Sequence, residues 1–211
     1  PNSQSVLDRF EFGWEECLAA HGVITICVDG RGTGARGEEF RKCTYLKMGD
    51  LESKDQVAAA KALAKQFPFI DASRMAIWGW SFGGYNTLMS MSVGEGTFKV
   101  GIAVAPPTDW HYYNTIYTER YMRTPKENAE GYALTSPIKL AEKLTGKLLL
   151  IHGTADDNVH FMQSMDYAET LVQLGKQFDM QVYKDRNHFI MGGNTRLHLY
   201  TRMTDFILEN L

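Results

Sequence analysis

The chain has 211 residues, 44% of them hydrophobic, with a formal net charge of −3 and a pI near 6.1. That is enough for one well-buried core. Charge this close to neutral offers no footing for nucleic acid or an anionic membrane, and no apolar run approaches the roughly 18 residues needed to span a bilayer. Cys17, Cys27 and Cys43 match no zinc spacing and are expected to act as small hydrophobes. The chain opens at Pro1 without an initiator Met and reads as a piece of a longer protein.

In chain order, Phe10, Trp14, Cys17 and Leu18 lie on one helical face. Residues 23–28, Val-Ile-Thr-Ile-Cys-Val, read as a buried strand ended by Asp29-Gly30. Val57, Ala60, Leu63 and Ala64 form the stripe of a second helix that Pro68 stops. Residues 74–80 predict the next strand, followed after one turn by a helix over about 84–93. Strands follow over 100–105, 147–152 and 178–184. Phe161, Met165, Ala168 and Leu171 mark a helix between the last two strands, terminated by Gly175. A final helix from about Thr195 buries Leu199, Met203, Phe206 and Ile207. Residues 106–146 are rich in aromatics and read as loop with short helices. Five strands alternating with helices predict an α/β fold, a mostly parallel sheet with helices on both faces.

Gly79-Trp80-Ser81-Phe82-Gly83 is a G-x-S-x-G motif at a strand-to-helix turn. There a serine hydroxyl stands clear of the sheet and the backbone N–H of Phe82 can support an oxyanion. Acid and base must then follow in the order Asp or Glu, then His. The loop after the 147–152 strand carries Asp156 and Asp157; the loop after 178–184 carries His188. Parallel strands bring these loops to the edge that holds Ser81. Serine needs an imidazole to take its proton, and the imidazole needs a carboxylate. The residues leave both Asp156 and Asp157 open as that acid, since either can instead cap the helix that follows. His21, His152 and His198 fit the base less well by position, and neither His111 nor His160 completes the order. Gly32-Thr33-Gly34-Ala35-Arg36-Gly37 matches G-x-G-x-x-G, but no small-residue helix follows and no strand ends in an acid about 20 residues on, so it reads as a turn.

Gly79-Trp80-Ser81-Phe82-Gly83-Gly84-Tyr85 resembles the nucleophile motif of the prolyl oligopeptidase clan, in its dipeptidyl peptidase IV branch. So do His152 to Phe161 (HGTADDNVHF), Asp29 to Gly34 (DGRGTG), Gly101 to Pro106 (GIAVAP) and Tyr117 to Met122 (YTERYM). The resemblance implies an α/β-hydrolase fold, with residues 1–211 the C-terminal part of one catalytic domain whose upstream strands and β-propeller lie elsewhere in the protein. It implies a triad of Ser81, Asp156 and His188. Trp110, Tyr113, Tyr117 and Val159 would line the pocket for the residue on the acyl side of the cut, and Asn158 would bond a substrate carbonyl. It further implies release of N-terminal X-Pro or X-Ala dipeptides through an acyl-enzyme, no metal or organic cofactor, a homodimer and an extracytoplasmic location. Other modes of the clan, and a non-catalytic relative, are the alternatives. Phe82 stands where the branch commonly has tyrosine, and Pro107 where it has a smaller residue. The family's oxyanion tyrosine precedes by three residues the proline that Pro1 resembles. Its sheet order places a strand from upstream of Pro1 between residues 23–28 and 74–80.

Overall fold

The computed structural model describes residues 6–211; Pro1 lies outside them. Four strands, β1 (Ala76–Trp80), β2 (Val100–Val104), β3 (Lys147–Gly153) and β4 (Asp179–Tyr183), pair in parallel in that order. The α/β expectation holds. The helices are α1 (Trp14–Ala20), α2 (Glu38–Lys42), α3 (Asp50–Gln66), α4 (Phe82–Val93), α5 (Thr115–Met122), α6 (Ala129–Leu134), α7 (Pro137–Leu140), α8 (Met162–Gln173) and α9 (Thr195–Asn210).

Alternation along the strands explains the layering, because successive side chains leave a strand on opposite faces. Val100, Ile102, Val104, Leu149 and Ile151 meet Leu18 of α1 and Leu199, Met203, Phe206 and Ile207 of α9. On the other face Ala103, Leu148 and Leu150 meet Leu88 and Met91 of α4 and Tyr167, Ala168 and Leu171 of α8. The middle strands β2 and β3 are buried on both faces, which is why they read as unbroken apolar runs. A third cluster of Met48, Tyr85, Met89, Trp110, Met122 and Tyr132 lies under the aromatic segment.

Three expectations need correction. Residues 23–28 form no strand: no strand among the described residues pairs with them, their backbone meets only the Leu18 carbonyl at Val23 and the Gln56 side chain at Val28, and Ile24 and Ile26 are 54% and 53% exposed. A strand exists only through a partner's hydrogen bonds, and among the described residues β1, which bonds β2 on one edge, has no strand on the other. Cys17, Cys27 and Cys43 are all exposed, so none of them is the buried small hydrophobe expected. Phe10 precedes α1 and is 81% exposed, so the apolar face of that helix starts at Trp14. Trp14 packs edge-on against Trp78 of β1, with ring centroids 4.9 Å apart, and its indole donates to Thr204 of α9 at 2.8 Å.

Candidate active site

Ser81 caps the N-terminus of α4 with φ 57° and ψ −119°, a left-handed conformation that L-residues adopt only under constraint. The constraint is local. Ser81 N–H donates to the Val104 carbonyl at 2.8 Å, and Tyr85 N–H returns to the Ser81 carbonyl at 2.9 Å. A Cβ on Gly79 would stand 2.2 Å from the Gly83 backbone, so the turn closes only with glycine before the serine. Ala105 after β2 and Asp185 after β4 also have positive φ, at 46° and 56°. Strain of about 1–3 kcal/mol per residue thus gathers at the C-terminal ends of the strands. Phe82 is the first residue of α4, where backbone N–H groups have no acceptor inside the helix.

The loops after β3 and β4 are packed on each other. Thr154 N–H donates to the Tyr183 carbonyl and Ala155 N–H to that of Arg186, both at 3.0 Å. A side chain on Gly153 would place its Cβ 2.2 Å from the Arg186 carbonyl oxygen. This contact brings Asp156 to His188: the His188 Nδ1–H donates to Asp156 Oδ2 at 2.7 Å, with the two residues 6% and 7% exposed. Asp157 is exposed, so of the two candidate acids it is Asp156 that reaches the imidazole. Trp80, next to Ser81, donates its indole N–H to the His188 backbone carbonyl at 2.9 Å, tying the serine turn to the histidine loop. Arg196 lies over the Trp80 ring at 5.0 Å.

Burial alone would raise the Asp156 carboxyl. Hydrogen bonds from His152 and His188, the charge of His188 and the Asn158 N–H outweigh it and hold the group well below the usual carboxylate range. Oδ1 accepts from the backbone N–H groups of Asn158 and Val159 at 3.0 and 2.9 Å. The contact with His152 has no signal in the sequence beyond its place one turn before the acid. Its bond to Ser164 joins residues 12 apart on a strand end and a helix.

Beside Ser81 lies a cavity of about 110 Å³ lined by Ser81, Phe82, Pro107, Trp110, Tyr113 and Tyr117. Trp110 and Tyr117 are stacked with centroids 6.1 Å apart, and Tyr113 stands edge-on to both. Thr108 anchors this segment, its N–H donating to Gln163 Oε1 at 2.8 Å and its hydroxyl to the Gln163 carbonyl at 2.7 Å. Burial raises the Tyr113 and Tyr117 hydroxyls above the ordinary phenol range, so both rings stay neutral. The Tyr113 hydroxyl donates to Asn158 Oδ1 at 2.6 Å. Trp110, Tyr113 and Tyr117 are thus brought to the cavity. Val159 is not among its lining residues; it is fully buried, its N–H on Asp156 and its carbonyl bonded by His152. Asn158, expected to face substrate, meets Tyr113 here. Pro107 and Phe82 are further lining residues that local sequence pattern did not assign to the pocket.

Residues 10–211 match the prolyl oligopeptidase family. The chain is 44% identical over 213 positions to prolyl endopeptidase FAP of Mus musculus and 43% identical to dipeptidyl peptidase 4 of Felis catus, covering 99% of this chain in both cases. It superposes on the crystal structure of Porphyromonas gingivalis dipeptidyl peptidase 4 with a TM-score of 0.98 and 59% identity over its whole length. It spans 28% of each of the first two proteins and 30% of the third.

Proposed function

The chain belongs to the prolyl oligopeptidase family, and from that premise we propose that it carries the triad of a serine exopeptidase releasing N-terminal X-Pro or X-Ala dipeptides. The observation that carries the reading is the buried Asp156–His188 pair at the sheet edge that also holds the strained Ser81 and its small aromatic cavity. Ser81 Oγ attacks the carbonyl carbon as His188 Nε2 takes its proton, and Asp156 stabilises the resulting imidazolium. The oxyanion is met by the Phe82 N–H at the positive end of α4. Collapse breaks the peptide bond, the leaving amine takes the proton from His188, and an acyl-enzyme ester remains. Water activated by His188 then hydrolyses the ester, releasing the dipeptide and restoring the serine.

Trp110 and the two tyrosines present flat apolar faces suited to a proline ring, and a cavity this small disfavours larger side chains. Asn158 would present its amide to the carbonyl of the preceding residue. The exopeptidase mode draws support from the bacterial dipeptidyl peptidase structure at 59% identity, and a prolyl endopeptidase among the relatives keeps the endopeptidase mode as the alternative. Acidic groups for the substrate amine would come from a β-propeller of the same protein. By likeness to the family we also place it outside the cytoplasm, as a homodimer. No helix among the described residues is long and apolar enough to cross a membrane.

The test compares Ala-Pro, N-acetyl-Ala-Pro and Ala-Leu anilides with the full-length protein. Fast cleavage of the first alone is the expected result, and equal cleavage of the acetylated substrate overturns the exopeptidase mode. Tyr113→Ala or Tyr117→Ala should lower the Ala-Pro to Ala-Leu ratio, since each face is worth about 1–3 kcal/mol of discrimination. An unchanged ratio in both variants returns these rings to a packing role.

The free edge of β1 supports a second, architectural proposal: a strand from elsewhere in the protein lies between β1 and residues 23–28. Only Gly79 of β1 is buried here and Trp78 is 36% exposed; once the rest of the protein encloses this edge, unpaired N–H and C=O groups would cost about 1–3 kcal/mol each. In the full-length protein, amide hydrogen exchange over Ala76–Trp80 is expected to be slow at every residue. Fast exchange at alternate residues, those facing away from β2, would show the slot to be empty.

A further inference from the structure

His152 has no part in the proton transfers above, yet it is fully enclosed beside the acid. It is the penultimate residue of β3 and has no exposed surface, its ring edge-on to Phe161 with centroids 5.6 Å apart. Its Nε2 lies 3.1 Å from Asp156 Oδ2 and 2.8 Å from the Val159 carbonyl oxygen. Both oxygens only accept, so Nε2 carries the hydrogen, and Nδ1 is left to accept from the Ser164 hydroxyl at 2.6 Å. Ser164 is likewise without exposed surface, in the first turn of α8.

We propose that Ser164 and His152 form a positioning relay behind the acid: Ser164 fixes the tautomer of His152, and the His152 Nε2–H fixes the Asp156 carboxylate in the orientation that receives His188. The proposal rests on the reading of Ser81, Asp156 and His188 as a triad. With Oδ1 held by two backbone N–H groups and Oδ2 by two imidazoles, the carboxylate has four donors from three directions. Rotation of its plane would break several of them together. The two imidazoles come from β3 and from the loop after β4, and the Tyr113 hydroxyl bonds Asn158, two residues after the acid. A polar ring this deeply enclosed is tolerated only when its nitrogens are paired, and here one pairing is spent on the acid.

The alternative is that His152 merely ties the loop through Val159. A double-mutant cycle in the full-length protein, with an Ala-Pro anilide as substrate, separates the two. His152→Leu is expected to lower kcat by about 10²-fold, the cost of a misplacement on the order of 1 Å, with KM nearly unchanged. His152→Gln, whose amide nitrogen can stand near the Nε2 position, should recover most of that loss. In the Asp156→Asn background, His152→Leu should cost less than about twofold, because the group it positions is already gone. Equal costs in both backgrounds, or a raised KM with kcat intact, overturn the relay. Should His152→Leu fail to fold, Ser164→Ala carries the same cycle. Its expected result is a fall of about tenfold in kcat that vanishes in the Asp156→Asn background, and a fall that persists there overturns the relay. The unaltered protein reports separately on the underlying reading: if it cleaves no anilide and takes up no fluorophosphonate, the triad assignment fails first.

Discussion

Ser81→Ala is expected to abolish covalent labelling of the full-length protein by a fluorophosphonate and to lower peptide turnover by about 10⁶-fold, the loss typical of a deleted nucleophile. The size follows from the mechanism. Alanine leaves the turn, the aromatic cavity and the donors of α4 in place, so the substrate can still be held, but no oxygen remains to form the acyl ester. Ser81 is also the strained residue of the turn, and alanine at the same φ of 57° keeps that strain. Loss of activity with an unchanged melting temperature is therefore the expected pair of observations. Labelling that survives in Ser81→Ala would move the nucleophile elsewhere and end the triad reading.

Asp156→Asn should lower turnover by about 10⁴-fold, as loss of the anion leaves the base in the wrong tautomer and its cation without support. Asp157→Asn, at an exposed carboxylate, should cost less than about threefold, within the range of surface changes. The contrast tests geometry as well as chemistry. Asp156 is held as an anion by donors that outweigh its burial, and its folded-state carboxyl is depressed. The stability this contributes is complete above the unfolded carboxyl range near pH 4 and is lost only as the pH falls through the lower, folded-state value. Asparagine removes a charge that is present throughout the neutral range. Equal losses in the two variants would show that the loop adopts another arrangement in the working enzyme.

The candidate site was legible where function and local pattern coincide. A serine between glycines at a strand-to-helix turn is a local feature, because the clash at Gly79 and the strain at Ser81 are set within five residues. The order of serine, acid loop and histidine loop followed from parallel strands, whose C-terminal ends share one edge. The helices that cover β2 and β3 were visible in the spacing of Leu199, Met203, Phe206 and Ile207, since each face had to be apolar to be buried.

Other features were decided only in three dimensions. Asp156 and Asp157 are equivalent as a pattern, and it took the packing of Gly153 on Arg186 to give one of them to His188. Residues 23–28 have the composition of a strand and are not one here, because pairing is supplied by a neighbour and not by the segment itself. His152 near the end of β3 and the backbone of Val159 also bond within the acid loop, contacts that no local pattern marks. Periodicity and the order in which loops leave the sheet could be read along the chain, since they depend on covalent neighbours and on burial. Which polar groups pair emerged from packing, because a hydrogen bond is fixed by distances of about 3 Å between atoms that the chain order leaves far apart.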